Sequence, residues 1–420
     1  MIPEQRIDSA MNTLARISIE KKLLCLCATP VKSRKLVEQI RQIISNGIQW
    51  DKLYQLATEQ EVLPLVYQSI APFCPEIVAP KNLSALQAQL HANARHNLML
   101  TAEFIRLLRI FESRNVPALI YKGPALAMQA YGALTSRQFC DLDLLVQKSD
   151  LDKIIGILNT EGYISEESGL NFFQDKWYRL NNCEYHFLKK PENIYLEIHW
   201  RFFENHIRFP LSLKDVWQCA QHITINEQQV RSLSPEHTLL ILCTHGGGKH
   251  HWSTLKMIAD IAALIHRQTN LNWQMIQENV DELGIRRLFH TGLLLAKNLL
   301  DAPIPESARR FAAQDSHAVQ LCQKICANLF DSPQKKLEAP ATGIDRSLFY
   351  IQSRENIPDK LPHLWYFVRD IFTPTDKETQ LIALPPALSI LHRFIRPVRL
   401  IAKYGKYLLN SLRQTGRTIK

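Results

Sequence analysis

Apolar residues recur at helical spacing from residue 17 to about residue 115, most regularly over 50–59, 81–93 and 97–113. The period then changes. Ala118-Leu-Ile-Tyr121 reads as a short buried strand, Lys122-Gly123-Pro124 interrupts it, and Ala125 to Tyr131 resumes helical spacing. Proline suits the first turn of a helix, and glycine before it lets backbone approach a ligand closely. Next comes Arg137-Gln-Phe-Cys-Asp141-Leu-Asp143-Leu-Leu-Val146, an apolar, strand-like run, and then a helix over 151–160. Ile194-Tyr-Leu-Glu197-Ile-His199-Trp200 alternates with period two, placing Tyr195, Glu197 and His199 on one face of a strand. Residues 201–330 return to helices, broken by a short strand pair around Ile223-Thr-Ile225 and Val230. Residues 331–345, with Pro333, Pro340 and Gly343, read as a linker.

Alternation along a strand sends Asp141 and Asp143 to the same side while Leu142 and Leu144 face the other. Two anions held that close raise each other's pKa unless something positive sits between them, and a divalent cation bound through oxygen is the usual remedy. The pattern therefore predicts a Mg²⁺ site, with Glu197 as a third carboxylate. A helix starting after Lys122-Gly123 would point free N–H groups outward and, with the Lys122 ammonium, suit phosphate oxygens. Arg137 offers a second phosphate contact.

This order of elements resembles the nucleotidyltransferase superfamily of the DNA polymerase β type. More closely, Tyr121-Lys-Gly-Pro-Ala-Leu126, Arg137, Asp141-Leu-Asp-Leu-Leu-Val146, Glu161-Gly-Tyr163 and Leu196-Glu-Ile-His-Trp200 resemble an uncharacterised bacterial nucleotidyltransferase family met near exopolysaccharide gene clusters. The likeness extends to Ile48-Gln-Trp-Asp51 and Val62-Leu-Pro-Leu65 before the core and to His245, Trp252, Leu255 and Asp260 after it. It implies an α+β fold, a small mixed sheet flanked by N- and C-terminal helical regions. It also implies transfer of a nucleotidyl group from an NTP to an acceptor that is small or carbohydrate-related. Mg²⁺, as two ions, would be held by Asp141, Asp143 and Glu197, with Lys122, Gly123, Arg137 and His199 about the nucleotide. Lys122-Gly123 stands where most of the superfamily carries Gly-Ser or Gly-Gly, and the gap from Gly123 to Asp141 is longer than usual. A non-catalytic nucleotide-binding scaffold in polysaccharide assembly, a peripheral membrane adaptor resting on the C-terminal helix and a toxin-like nucleotidylation of protein or tRNA stay open beside this reading.

Several of these residues have a plainer reading. Lys122 and Arg137 can be ion-pair partners of the acids, and His199 can be a structural hydrogen-bonder that orients Glu197. His245-Gly-Gly-Gly-Lys-His250-His251-Trp252 lacks the hydroxyl residue after the lysine and the leading glycine of a Walker loop. Its histidines could bind a transition metal, but the better reading is a glycine turn joining a buried helix over 237–244 to a helix over 253–267. Asp260, among Ile258, Ile261 and Leu264, pairs with a base or faces the cleft, and a structural role is the favoured reading.

The 420 residues, 46% hydrophobic and 21% charged, suffice for two or three packed units. The expected divisions are an N-terminal helical region at 1–115, the α/β core at 116–200, a helical domain at 201–330, linker and short helices at 331–378, and a basic amphipathic helix at 379–420. Nine scattered cysteines without zinc-site spacing, and no signal peptide, predict reduced thiols and a cytoplasmic location. The apolar run from residue 381 to 391 is too short to span a bilayer. After Glu378 no acid occurs, and Arg393, Arg396, Arg399, Lys403, Lys406, Arg413, Arg417 and Lys420 concentrate eight positive charges in the last 28 residues. Phe394, Val398, Ile401, Leu408 and Leu412 recur opposite much of that charge, with the helix proper expected to begin near Pro397. Such a segment docks on the protein body, lies on an anionic membrane at the inner face, or, least favoured, contacts nucleic acid.

Overall fold

A computed structural model describes residues 18–331, 342–374, 381 and 391–402. The chain divides into two compact units, one up to Phe330 and one from Asp331 onward.

In the first unit, helices α1 (Ile19–Ala28), α2 (Arg34–Ser45), α3 (Trp50–Glu59) and α4 (Leu63–Ile70) precede a long α5 (Pro80–Ser113). The two separate helices expected within 81–113 are one, because nothing between them breaks the 3.6-residue period and Asn97 is held from the side. Asn97 is fully buried, and its amide nitrogen donates to the carbonyls of Leu134 (2.6 Å) and Arg137 (2.7 Å). The long helix thereby fixes the loop that leads into the aspartate strand.

The sheet has seven strands in the order β3-β4-β5-β2-β1-β7-β6. They are β1 (Ala118–Ile120), β2 (Asp141–Val146), β3 (Tyr163–Ser165), β4 (Glu184–Lys189), β5 (Ile194–His199), β6 (Gln221–Ile225) and β7 (Gln228–Ser232). β2 runs parallel to β5 and β1 parallel to β7, and the other pairs are antiparallel, so the sheet is mixed and the fold is α+β. The expected strand pair near 223–230 forms, and through β7 it joins the same sheet as the core strands.

Period-two alternation divides this sheet into two chemically different faces. On one, Leu142, Leu144, Val146, Leu196, Ile198, Tyr185, Phe187 and Ile120 pack against Phe104, Leu107 and Phe111 of α5 and against Leu151, Ile154 and Leu158 of α7 (Leu151–Thr160). Each large side chain buried there stabilises the unit by roughly 1.5–3 kcal/mol. The other face carries the polar residues at the alternate positions. Between β1 and β2, α6 (Gly123–Leu126) passes directly into a π-helical turn, Ala127–Tyr131, where one continuous helix was expected. Gln129 of that turn is buried and donates to the Leu233 carbonyl at 2.7 Å, which ties the turn to the end of β7.

Between β3 and β4 lies α8 (Phe172–Asn181), closed at its start by a capping box in which Asn171 and Gln174 satisfy each other's backbone N–H groups. After the sheet come α9 (Leu213–Gln218), α10 (Pro235–Thr244), α11 (Leu255–Arg267), α12 (Trp273–Glu282), α13 (Arg286–Leu300), α14 (Glu306–Gln314) and α15 (Ser316–Asn328). Ser234 caps α10 by accepting from the His237 N–H, with Pro235 in the first turn. The anticipated glycine turn, His245–Lys249, joins α10 toward α11 as a second π-helical turn.

The second unit contains α16 (Thr342–Ser353) and α17 (Ile357–Ile371). Residues 392–402 are also helical, so this helix starts upstream of Pro397 and carries the proline within it, while residues 403–420 lie outside the described residues. Arg396 pairs with Asp370 at 3.0 Å. All nine cysteines are free. Among the described residues no helix is long and apolar enough to cross a membrane.

Candidate active site

Register brings the polar face of the sheet to a focus. In the β2–β5 pair Asp143 stands beside Glu197, and in the β4–β5 pair His199 stands beside Glu184 and Glu197 beside His186. Glu184, His186 and Glu197, with Asp141 one pleat away, line a cavity of about 490 Å³, and Asp143 and His199 lie buried beside them. Its walls include Lys122, Gly123 and Arg137, and opposite the strands His245, Lys249 and His250 of the glycine turn with Lys256 and Asp260 of α11.

His199 is the hub. It is 1% exposed; its Nε2 lies 3.3 Å from Asp143 Oδ1 and 3.1 Å from Glu197 Oε2, and its Nδ1 lies 2.9 Å from Glu184 Oε2. Burial alone would make this imidazole less basic, but Glu184 and Asp143 outweigh it and push its pKa well up. The Tyr121 ring packs edge-on against it at 5.3 Å, holding its plane. Asp143 is equally buried and gives Oδ1 to both His199 and the Lys122 ammonium, the latter at 2.9 Å. Desolvation works to raise its pKa, and the Lys122 charge with the His199 hydrogen bond reverse that and hold it below the usual carboxylate range. The other oxygen, Oδ2, is buried without a hydrogen-bond partner. An orphaned carboxylate oxygen is costly and fits a missing cation better than an apolar neighbour.

Asp141 behaves oppositely. Burial, then the charges of Asp143 and Glu197, push its carboxyl up to about 6, against the weaker pull of Lys122 and Arg137. Charge on this face is thus balanced at Asp143 by Lys122 and His199 and left unbalanced at Asp141. Ligand atoms of Asp143, Glu197 and His199 lie within 4.8 Å of one another, as do those of Glu184, His186 and Glu197 and those of Cys183, Glu184 and His199. Of the three expected ion ligands, Asp143 and Glu197 are brought together in one such group, and Asp141 faces the same cavity outside it.

A pH effect follows from Asp141. Its folded pKa lies above its ordinary value of 3.8, so the stability linked to its neutral form is present below that value and lost as pH rises through about 6. A divalent cation held by Asp141 would need the ionised form and compete with the proton. Mn²⁺ or Mg²⁺ is therefore expected to raise the melting temperature more at pH 7.5 than at pH 5.5, and Asp141→Asn to remove that difference. Differential scanning fluorimetry across this range tests it, and an equal shift at both pH values refutes it.

Gly123 has φ +49°, and a Cβ there would meet the Asp141 carbonyl at 3.4 Å, so glycine permits the turn beside the aspartate strand. Arg137, expected as a phosphate contact or an ion-pair partner, is joined to Asp260. Arg137 Nε and Nη2 make a two-pronged pair with the Asp260 carboxylate at 3.0–3.1 Å, and the Tyr131 hydroxyl donates to the same group at 2.9 Å. Arg137 is thus an ion-pair partner, of Asp260 instead of the strand aspartates. Of the two alternatives for Asp260, pairing with a base and facing the cleft, the structure shows both, with the ion pair to Arg137 as its structural role.

Sequence reasoning missed Glu184, His186 and Lys249. Glu184 is held well below the usual range, despite its burial, by His199, His186 and Lys249. His186 is raised to about 10 by hydrogen bonds to Glu167 and Glu184. Lys249 reaches Glu184 at 3.1 Å and Glu204 at 3.6 Å. The period-two run Glu184-Tyr-His-Phe-Leu-Lys189 was the available signal.

The sequence profile of a family described as "Uncharacterised nucleotidyltransferase" matches residues 46–301. The chain belongs to this nucleotidyltransferase family. The matched span includes every site residue named above and extends to α13, so the family is defined by the helical surroundings as well as by the acidic strands. No curated protein matches the chain. Among solved structures, an antigenic nucleotidyltransferase-like protein from Paracoccidioides brasiliensis is similar at 17% identity, covering 50% of this chain and 96% of that one with a TM-score of 0.30.

Proposed function

We propose that this nucleotidyltransferase moves a nucleoside monophosphate from an NTP to the hydroxyl of a small, carbohydrate-related acceptor and releases pyrophosphate, using Mg²⁺ held by Asp141, Asp143 and Glu197. The observation that carries the reading is the buried, unpartnered Oδ2 of Asp143, on a carboxylate whose ligand atoms group with those of Glu197 and His199 within 4.8 Å. When bound, two Mg²⁺ ions would neutralise charge on the α-phosphate and on the departing pyrophosphate. The remaining tasks belong to side chains. Glu197 is the more open of this pair, with 23% of its side chain exposed against 1% for Asp143, and can take the acceptor's proton. His199 orients Glu197, and Lys122 holds Asp143 ionised. Gly123 lets the phosphates approach the backbone, and Arg137, set by Asp260, adds positive charge to the cavity wall.

The test is a screen of four α-labelled NTPs with cell extract as the source of acceptor, run beside Asp143→Asn. Label on a small molecule with the wild-type protein alone supports the reading. Equal transfer by both proteins refutes it, and label on protein or tRNA replaces the acceptor class.

In this reading the protein works in the cytoplasm, and its basic segment, residues 393–420, rests on the anionic inner membrane face. Phe394, Val398 and Ile401, each 62–67% exposed beside Arg393, Arg396 and Arg399, support this. Anionic liposomes are expected to co-sediment the full chain and Asp141→Ala, but not a chain truncated after Glu378. Retained binding of the truncated chain counts against the membrane contact.

A further inference from the structure

The ion site does not use the glycine turn, yet the backbone goes to unusual lengths to present it. Residues 245–249 form a π-helical turn, and His251 and Trp252 follow with φ +54° each, two successive side-chain-bearing residues in the left-handed region. The Trp252 N–H donates to the Gly246 carbonyl at 2.7 Å, folding the indole back under the turn, where it is 1% exposed. A Cβ at Gly246 would lie 2.5 Å from that indole, and one at Gly247 2.5 Å from Leu288, so the turn closes only with glycine at these places. Strain of this kind persists only where the surroundings enforce it.

The outcome is a pair of imidazoles on the cavity wall that faces the acidic strands. His245 and His250 approach with Nε2 to Nε2 at 3.2 Å and ring centroids 4.3 Å apart. One nitrogen must donate and the other accept, so at least one ring is neutral. Among the described residues neither histidine belongs to a group of three metal-ligating side chains within 4.8 Å, which leaves a transition metal without a third ligand. Their electrical surroundings point the same way. Burial, then Lys122 at the end of β1, Lys249 in the turn, and for His250 also His251 and Lys256 of α11, disfavour the protonated rings, with Glu184 of β4 the acid facing His245. His250 is held down to about 3 and His245 well below its ordinary value.

Burial disfavours charge of either sign there, but Lys122, Lys249 and Lys256 on the walls of the same cavity add a positive field that favours an anion. The ammonium groups there are already engaged, Lys122 with Asp143, Lys249 with Glu184 and Lys256 with Glu61, so an arriving anion needs further positive charge. We propose that His245 and His250 form a polyphosphate subsite that receives the pyrophosphate portion of the nucleotide and takes up a proton as it does so. The phosphate oxygens offset the lysine charges and supply a counter-charge to the buried rings, and an imidazolium then donates to them in a charge-assisted hydrogen bond. Loss of the pyrophosphate returns the proton to solvent. This deepens the proposed nucleotidyl transfer and rests on it.

Titration calorimetry with inorganic pyrophosphate at pH 7, without divalent cations and in buffers of different ionisation enthalpy, reads both affinity and proton uptake. Comparing variants with the wild type cancels the probe's own protons. His245→Ala and His250→Ala are expected to bind about tenfold more weakly and to take up less proton than the wild type. Imidazole ¹⁵N NMR of the unaltered protein, with and without pyrophosphate, reads the protonation directly should either variant fail to fold. Wild-type protein that does not bind pyrophosphate, unchanged affinity in both variants, or rings that stay neutral in the complex would each overturn the subsite. The transfer reading fails separately, when labelled NTPs yield no product dependent on Asp143.

Discussion

Asp143→Asn is expected to abolish nucleotidyl transfer, lowering its rate by at least about a thousandfold, and to remove the rise in melting temperature that divalent cations produce. The amide keeps the shape of the carboxylate and loses its charge. Asp143 is 1% exposed, with Oδ1 shared by Lys122 and His199 and Oδ2 buried without a hydrogen-bond partner, the atom the proposed cation would take up. Its replacement leaves an ammonium and an imidazolium near each other without the anion between them, and breaking a buried pair costs about 3–5 kcal/mol. The remaining amide oxygen still accepts one hydrogen bond, which favours the lower end. Asp152→Asn is the control, since Asp152 is 82% exposed on its side chain and pairs with Arg179 at the surface. Product from labelled NTP and a urea titration, measured on both variants, separate catalysis from folding. An Asp143→Asn protein that transfers label at the wild-type rate removes the ion site from the mechanism.

The second large effect is on stability. Arg137→Ala and Asp260→Ala are each expected to lower the free energy of unfolding by about 3–5 kcal/mol, because each strands a largely buried charge without its partner. Arg137 is 8% and Asp260 3% exposed, and they join the loop before β2 to α11 across the cavity. Arg137→Lys keeps the charge but loses the two-pronged geometry and should recover only part of the stability. The double variant Arg137→Met with Asp260→Leu removes both charges together and is expected to be far more stable than either single alanine variant. Denaturant midpoints for the four proteins measure this, and additive losses would show that the pair is not coupled.

What could be read along the chain was local. Asp141, Asp143, Glu197 and His199 declare themselves by alternation with apolar neighbours, a property of one strand at a time, and Lys122-Gly123-Pro124 declares a turn by its composition. α8 was silent for a physical reason. It turns Tyr178 and Arg179 toward Tyr185 and leaves Phe172, Phe173, Trp177 and Leu180 more than half exposed, the reverse of the amphipathic pattern that marks a packed helix. β4, next along the chain, was therefore not set apart from its neighbours, and Glu184 and His186 went with it.

The amino-acid order alone determined the mixed sheet framed by helices, the family, and three acids available to one side of that sheet, because side-chain alternation and turn chemistry act over a few residues. Only the tertiary structure decided which charges meet. Pairing of β4, β5 and β2 put His199 among Glu184, Glu197 and Asp143, and α11 brought Asp260 to Arg137 from 123 positions away. Coulomb interactions depend on distance and burial and not on separation along the chain. The partner of Arg137, the opposite responses of Asp141 and Asp143, and the histidine pair facing them exist only once the chain has folded.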